Sequence, residues 1–331
     1  MEIVVSGVRP TGNQHFGNYM GAIRNFVKFQ DEFDIPCYFF VADYHSLTTH
    51  PKPEDLQNNV RQILIEYLAC GLDPKKSNIY IQSHVPEIPE LYLIFNMLAY
   101  KGELERSVTF KDKVRSQPEN INAGLLTYPV LMAVDIIVHK ATQVPVGKDQ
   151  EQHLEMTRTF ARRFNNAYKV EYFPEPQPVS LGDKLVKVPG LDGKGKMSKS
   201  ESENSAIFLV DDEKKLRKKV MRAVTDAGPK EKNQAMPEEI QNLFQLLELV
   251  ADGETIQQFK SAYADCTIRY GDLKGAIAEN MEKTIKPIRE RIHELEADDK
   301  LLKEIMHEGA TSARKSASAT LKDVKEIIGL R

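Results

Sequence analysis

Tryptophan is absent from the 331 residues, and cysteine occurs only three times. Cys37, Cys70 and Cys266 are odd in number, lie far apart and form no CxxC pair. No disulfide scaffold, zinc knuckle or iron–sulfur site is therefore expected. No apolar run reaches the roughly 18 residues that a bilayer span needs, so no transmembrane helix is expected. The N-terminal stretch lacks a basic region followed by a long apolar one, so no secretory signal is expected. An excess of either charge is also missing. The 45 Lys+Arg and 48 Asp+Glu leave a formal charge of −3. That balance neither requires nor forbids nucleic acid, because a basic patch can sit on a near-neutral protein. The missing tryptophan by itself excludes nothing.

What is present describes a globular chain. Hydrophobic residues make up 41% and charged residues 28%, enough apolar material to bury a core. The length points to about two domains. In the first half, strand and helix signals alternate. Ile3–Ser6 and 78–82 read as strands. Ile35–Ala42 is a continuous apolar run, as a strand buried on both faces requires. Helices are expected over 18–33, from Pro53 to a stop at Gly71, and over 86–100, 124–140 and 150–164, with an extended stretch at 143–146. This alternation predicts a parallel sheet with crossover helices. Phe173–Pro178 holds three prolines and reads as a linker or surface loop. Residues 189–205 are rich in Gly, Lys and Ser and read as a mobile loop. Beyond 212 the pattern is helical. Its clearest stripe is Leu273, Ile277, Met281, Ile285, Ile288, Ile292 and Leu295, one face of an amphipathic helix. A last helix is expected over about 312–328. The expected fold is α/β: a Rossmann-like nucleotide-binding domain over 1–185, a connector over 186–211 and an α-helical domain over 212–331.

The first strand leads through Ser6-Gly-Val-Arg9-Pro10-Thr11-Gly12-Asn13-Gln14-His15-Phe16-Gly17-Asn18 into the first helix. In an open α/β sheet, nucleotides bind where a strand's carboxyl end faces a helix N-terminus. Gly7 and Gly12 have the glycine spacing of a Walker loop, but Asn13 stands where its lysine belongs, and G-x-G-x-x-G is absent. A plain Gly/Pro turn is the bland alternative. Pro10 to Asn18 resembles the "HIGH" signature of class I aminoacyl-tRNA synthetases and related nucleotidyltransferases. In that reading Gly17 lets adenosine lie against the backbone, and His15 donates a hydrogen bond to the phosphates. Asn18 replaces the second histidine, removing a possible cation but keeping a donor.

Residues 196–200, Lys-Met-Ser-Lys-Ser, match the "KMSKS" signature of the same class in full. Lys196 and Lys199 would set two positive charges beside departing pyrophosphate, stabilising charge that develops in the transition state. An exposed basic loop is the alternative for any one of these lysines. The two signatures occur in the order that the class requires.

Leu125–Lys140 is apolar apart from a few residues. If helical, it places Tyr128, Met132 and Asp135 on one face. A carboxylate inside such a run needs a partner, because burying it alone costs several kcal/mol, roughly. The partner is either a structural cation or a donor on a ligand, and an indole N–H is a donor only. Val144-Pro-Val-Gly147-Lys148-Asp149-Gln150-Glu-Gln-His153 follows. From Gly124 to Asn165 the chain resembles bacterial-type tryptophanyl-tRNA synthetases, and the likeness extends over most of its length. That resemblance implies that Asp135 accepts the indole N–H and Met132 lines the ring pocket. Tyr128 and Gln150 would hold the α-amino group, with His45 bordering the pocket. ATP would meet Arg9, Pro10, Thr11, Gly17, Asn18, Gly147, Lys148, Asp149, Leu185 and Lys196, Met197, Ser198, Lys199 and Ser200. His15, Lys196 and Lys199 would act in catalysis, and Lys111 would add charge near the phosphates. Arg9 and Val5 depart from the Gln and the aromatic residue common in the family, and 189–195 reads as an insertion.

The implied activity is ATP-dependent formation of tryptophanyl-adenylate, with Mg²⁺ on the phosphates, and transfer to tRNA(Trp). The implied setting is a cytoplasmic homodimer without zinc, iron–sulfur cluster or membrane attachment. The alternatives are a tyrosyl-tRNA synthetase, a non-catalytic tRNA-binding paralogue, and a nucleotidyltransferase that does not use tRNA.

Overall fold

The computed structural model describes residues 2–145, 147, 150–179, 188–193, 195–199 and 205–330. The chain forms two compact units. One comprises Met1–Gly12, Arg24–Leu185 and Asp298–Arg331, and the other Asn13–Ile23 and Val186–Ala297. The expected boundaries run consecutively along the chain. Compactness instead groups the C-terminal residues with the sheet and the segment Asn13–Ile23 with the later helices.

The first unit is built on five parallel strands: β1 (Val4–Val8), β2 (Cys37–Val41), β3 (Asn78–Ile81), β4 (Gln143–Pro145) and β5 (Gln177–Val179). Their order is β3-β2-β1-β4-β5, a Rossmann-like sheet. The chain runs outward from β1 to β3, then returns to the other side of β1 at β4. The sheet's switch point therefore lies between β1 and β4. There Ser6 Oγ donates to the Pro145 carbonyl at 3.0 Å. Gly7 is needed in β1 because a Cβ would lie 2.7 Å from the Phe40 ring.

The strand expectations locate β1 to β4, and β5 is a correction. The proline-rich stretch read as a loop contains a three-residue strand paired with β4. Pro178 is tolerated because β5 is an edge strand, where one N–H can be spared. The helix Pro53–Ala69 ends before Gly71, which adopts φ +110°. The expected helix 86–100 is shorter, Glu87–Asn96, and two unforeseen helices follow, Lys101–Leu104 and Val108–Ser116.

The last helix also exceeds its expected span, running over Asp299–Ile328 with an Asp298 cap. Its small residues bring it against β3. A Cβ on Gly309 would lie 1.8 Å from the Ile79 carbonyl oxygen. In the orientation that satisfies both ends of its amide, Asn78 donates to Gly309 O at 3.0 Å. It then accepts from Ser312 Oγ at 2.6 Å and Ala313 N at 3.2 Å.

In the second unit, four helices over Glu213–Met221, Glu238–Val250, Gly253–Ala264 and Tyr270–Glu296 form the bulk. The stripe from Leu273 to Leu295 is buried in full, as its spacing predicts.

Gly309→Ala is expected to destabilise by about 1–3 kcal/mol, since the clash is with backbone that cannot rotate away. Gly271→Ala, also in a helix but with nothing within 4 Å of its Cβ, is expected to be neutral or to stabilise by up to about 1 kcal/mol. Denaturant unfolding of both variants checks this, and equal midpoints would contradict it.

Candidate active site

The parallel sheet brings its strand ends to one edge, and the first cluster of polar side chains forms there. Asp135 projects from the helix Ala123–Ile137, with 1% of its surface exposed. One carboxylate oxygen meets His45 Nε2 at 2.8 Å, from the turn after β2. The other accepts from Gln82 Nε2 at 2.6 Å, from the end of β3. Burial pushes the Asp135 carboxyl pKa up, and the His45 and Gln82 hydrogen bonds pull against that rise. One turn further on, His139 stacks on Tyr38 at 4.1 Å and meets the Tyr80 hydroxyl at 3.0 Å. Burial lowers the His139 ring to about 3, so it is neutral.

The Tyr128 ring lies 4.3 Å from that of His45, and its hydroxyl is hydrogen-bonded by Arg9. Arg9, Tyr128 and Gln150 line a cavity of about 220 Å³ with Phe110, Lys113 and His153. A neighbouring cavity of about 260 Å³ shares Thr48 and Tyr128 and is walled by Leu47, Tyr92 and Leu131. Tyr128 and Gln150, expected at the amino acid, share a cavity with Arg9, expected at ATP. His45 lies behind Tyr128. Asp135 is turned toward His45 and Gln82. Met132 is partly buried but lines neither cavity. Lys113 lines the first cavity and Lys111 does not. Pro10, Thr11 and Gly147 belong to this unit, and the Thr11 amide donates to the Arg9 carbonyl at 3.0 Å.

The second unit holds Asn13–Asn18 of the first signature, and the second signature. His15 caps the short helix that follows it. Asn18 N–H donates to His15 Nδ1 at 3.1 Å, and the His15 N–H donates to Asn18 Oδ1 at 3.1 Å. Because Nδ1 accepts, the neutral ring carries its proton on Nε2. Burial is the main cause that lowers the His15 pKa to about 4, with Lys199 and Lys196 adding to it. His15 is thus an uncharged donor held near two cations. Gly17 is required locally, since a Cβ would lie 2.9 Å from the His15 ring and 3.4 Å from the Met197 Cβ.

The segment after the second signature pins the first. Phe16 N–H donates to Ile207 O at 2.7 Å, and Leu209 N–H to Gln14 O at 3.0 Å. Residues 188–197 pair back on themselves: Met197 N–H reaches Val188 O at 2.8 Å, and Gly190 N–H reaches Gly195 O at 3.2 Å. Gly193 and Gly195 take φ +72° and +62°, so glycine here serves the tight return of the chain. Met197 is buried and Lys196 exposed. Asp211 accepts from Lys219 Nζ at 2.7 Å and from Phe208 N–H at 2.9 Å, fixing the segment whose Phe208 bridges to His15.

Lys148, Asp149, Leu185 and Ser200 lie outside the described residues. Among the described residues no group of three His, Cys, Asp or Glu side chains could hold a metal ion. Gln82 is the residue that sequence reasoning missed. The one available signal was a polar side chain closing a buried strand at its carboxyl end.

A family model described as tRNA synthetases class I (W and Y) matches residues 2–313. A curated tryptophan–tRNA ligase of Porphyromonas gingivalis is 57% identical over the whole of both chains. Another, from Fusobacterium nucleatum, is 41% identical over 100% of this chain and 98% of its own. The crystal structure of a tryptophanyl-tRNA synthetase from Campylobacter jejuni, complexed with ADP and tryptophan, is similar over 100% of both chains. It has a TM-score of 0.85 and 35% identity.

The His15 pKa gives a signed prediction. Its folded value, about 4, lies below the ordinary histidine value of 6.5. The neutral ring's contribution to stability is therefore present above 6.5 and lost as pH falls toward 4. NMR titration of the His15 ring protons is expected to show a midpoint near 4, rising in Lys199→Ala. A midpoint near 6.5, or one unmoved by the substitution, contradicts this.

Proposed function

The chain belongs to the class I tRNA synthetases of the tryptophan and tyrosine group, and we infer that its function is that of a tryptophan–tRNA ligase. The carrying observation is full-length identity of 57% to a curated ligase of that specificity. The tyrosine alternative lacks such support, and both signatures are intact, against a non-catalytic paralogue. The tryptophan carboxylate attacks the α-phosphate of ATP, and the bond to the β-phosphate oxygen breaks. Pyrophosphate leaves, and tryptophanyl-adenylate then passes its acyl group to the terminal adenosine of tRNA.

No protein nucleophile is needed, so positioning and charge stabilisation carry the catalysis. In the proposed assignment, His15 donates from Nε2 to the phosphates as charge moves from α to β. Its neutral state and its fixed Nδ1 support that role. Lys196 and Lys199 neutralise departing pyrophosphate. Gly17 and Asn18, with Arg9, Pro10, Thr11 and Gly147, take the nucleotide. Asp135 receives the indole N–H, while Tyr128 and Gln150 hold the α-amino group, supported by their shared cavity. Mg²⁺ bound to the ATP phosphates would add charge stabilisation there.

The helices after 212 are proposed to read the anticodon, where bases splay from a single-stranded loop. A homodimer in the cytoplasm completes the proposal. The exposed Leu93, Met97 and Tyr100, on and just after the helix Glu87–Asn96, support a partner subunit. No helix among the described residues is long and apolar enough to cross a membrane.

Exchange of pyrophosphate into ATP is expected with tryptophan, and with phenylalanine about 10⁴-fold less, because the acceptor position that Asp135 keeps for a ring N–H would go unfilled. Asp135→Ala is expected to lower kcat/KM for tryptophan about 10- to 150-fold while sparing the KM for ATP. Exchange driven by tyrosine alone, or unchanged tryptophan kinetics in the variant, rejects the assignment.

A further inference from the structure

Gln82 is fully buried at the end of β3, and both ends of its amide are engaged. Its oxygen accepts the Tyr44 N–H at 3.0 Å, and its nitrogen donates to Asp135 Oδ1 at 2.6 Å. The backbone donor decides the orientation of the amide: with the oxygen held by Tyr44, only the NH₂ end can face the carboxylate. The Tyr44 segment is itself fixed. Asp43 Oδ1 accepts from Tyr44 N–H and from Ser83 N–H, each at 3.0 Å, tying the turn after β2 to the residue next to Gln82. Gln82 thus carries a backbone-anchored donor to one oxygen of Asp135, while His45 occupies the other at 2.8 Å.

We propose that Gln82 is the positioning residue that gives this pocket its preference for a ring bearing an N–H. By holding Oδ1 it fixes the plane of the Asp135 carboxylate. A carboxylate offers about four lone-pair sites, so an acceptor position remains for the substrate after Gln82 and His45 are bound. Gln82 also supplies one of the two hydrogen bonds that favour the ionised form against burial. A protonated Asp135 would present a donor to a donor and lose its basis for choice. The inference rests on Asp135 receiving the indole N–H. Gln82 itself acts through Asp135 rather than on the reacting atoms.

The test compares tryptophan with its analogue in which sulfur replaces the ring N–H, in pyrophosphate exchange by the full chain. The measured quantity is the ratio of the two kcat/KM values, which cancels any loss of folded protein. Wild type is expected to favour tryptophan by a ratio on the order of 10⁴. Gln82→Met, which keeps the volume and removes the donor, is expected to lower that ratio at least about tenfold. The loss falls on tryptophan, with the analogue and the KM for ATP little changed. Gln82→Asn, with its amide one methylene short, is expected to fall between. An equal fall for both substrates, or one ratio across all three proteins, overturns the proposal. A wild-type enzyme that does not prefer tryptophan over the analogue overturns the Asp135 assignment instead, before any variant is considered.

Discussion

A carboxylate buried inside the most apolar helix of the sheet unit is the constraint on which the proposed amino-acid site depends. Left alone there, Asp135 would cost several kcal/mol, roughly, because water no longer solvates it. Its neighbours Val134, Ile136 and Ile137 are buried hydrocarbons and offer nothing in return. The compensation comes from His45 and Gln82, each at the end of a different strand. A parallel sheet can provide this because its strand ends share one edge. The same need for partners that stabilises the fold also fixes the site. The turn after β2, the end of β3 and the central helix are held in register by one side chain.

The second unit solves a different electrostatic problem. In the role proposed for it, donation to phosphates, His15 needs a defined tautomer, and the capping bond from Asn18 sets it. Lys196 and Lys199 disfavour a charged ring, as burial does, so the site keeps its cations on the lysines and a neutral donor at His15. Asn18 in place of the family's second histidine suits this arrangement, since it contributes both halves of the capping box. Packing is enough to account for Gly17. Any Cβ there would press on the His15 ring.

Much of this was legible in the sequence, for reasons that can be stated. β2 appears as a continuous apolar run because both faces of a parallel sheet are covered. The helix from Leu273 to Leu295 shows its buried stripe through simple periodicity. The two signatures are local strings, so they survive without knowledge of the fold. What escaped depends on distant contacts. Gln82 meets Asp135 across 53 positions, and nothing near either residue signals the pairing. β5 was hidden by its prolines, which an edge strand tolerates. The last helix joins the sheet unit because Gly309 and its small neighbours fit against β3, a matter of shape that hydrophobic spacing does not record. Lys113 rather than Lys111 reaches the cavity because the helix Val108–Ser116 sets which face turns inward.

The absence of tryptophan from the chain makes the central claim directly measurable. In a mixture of excess protein and free tryptophan, the only indole emission comes from the ligand. The account predicts that this emission shifts to shorter wavelength as the ring leaves water for a pocket at Asp135, and that Asp135→Ala greatly weakens the shift at equal protein concentration. An emission spectrum unmoved at saturating protein, or a shift that is the same with and without the Asp135 carboxylate, would contradict it.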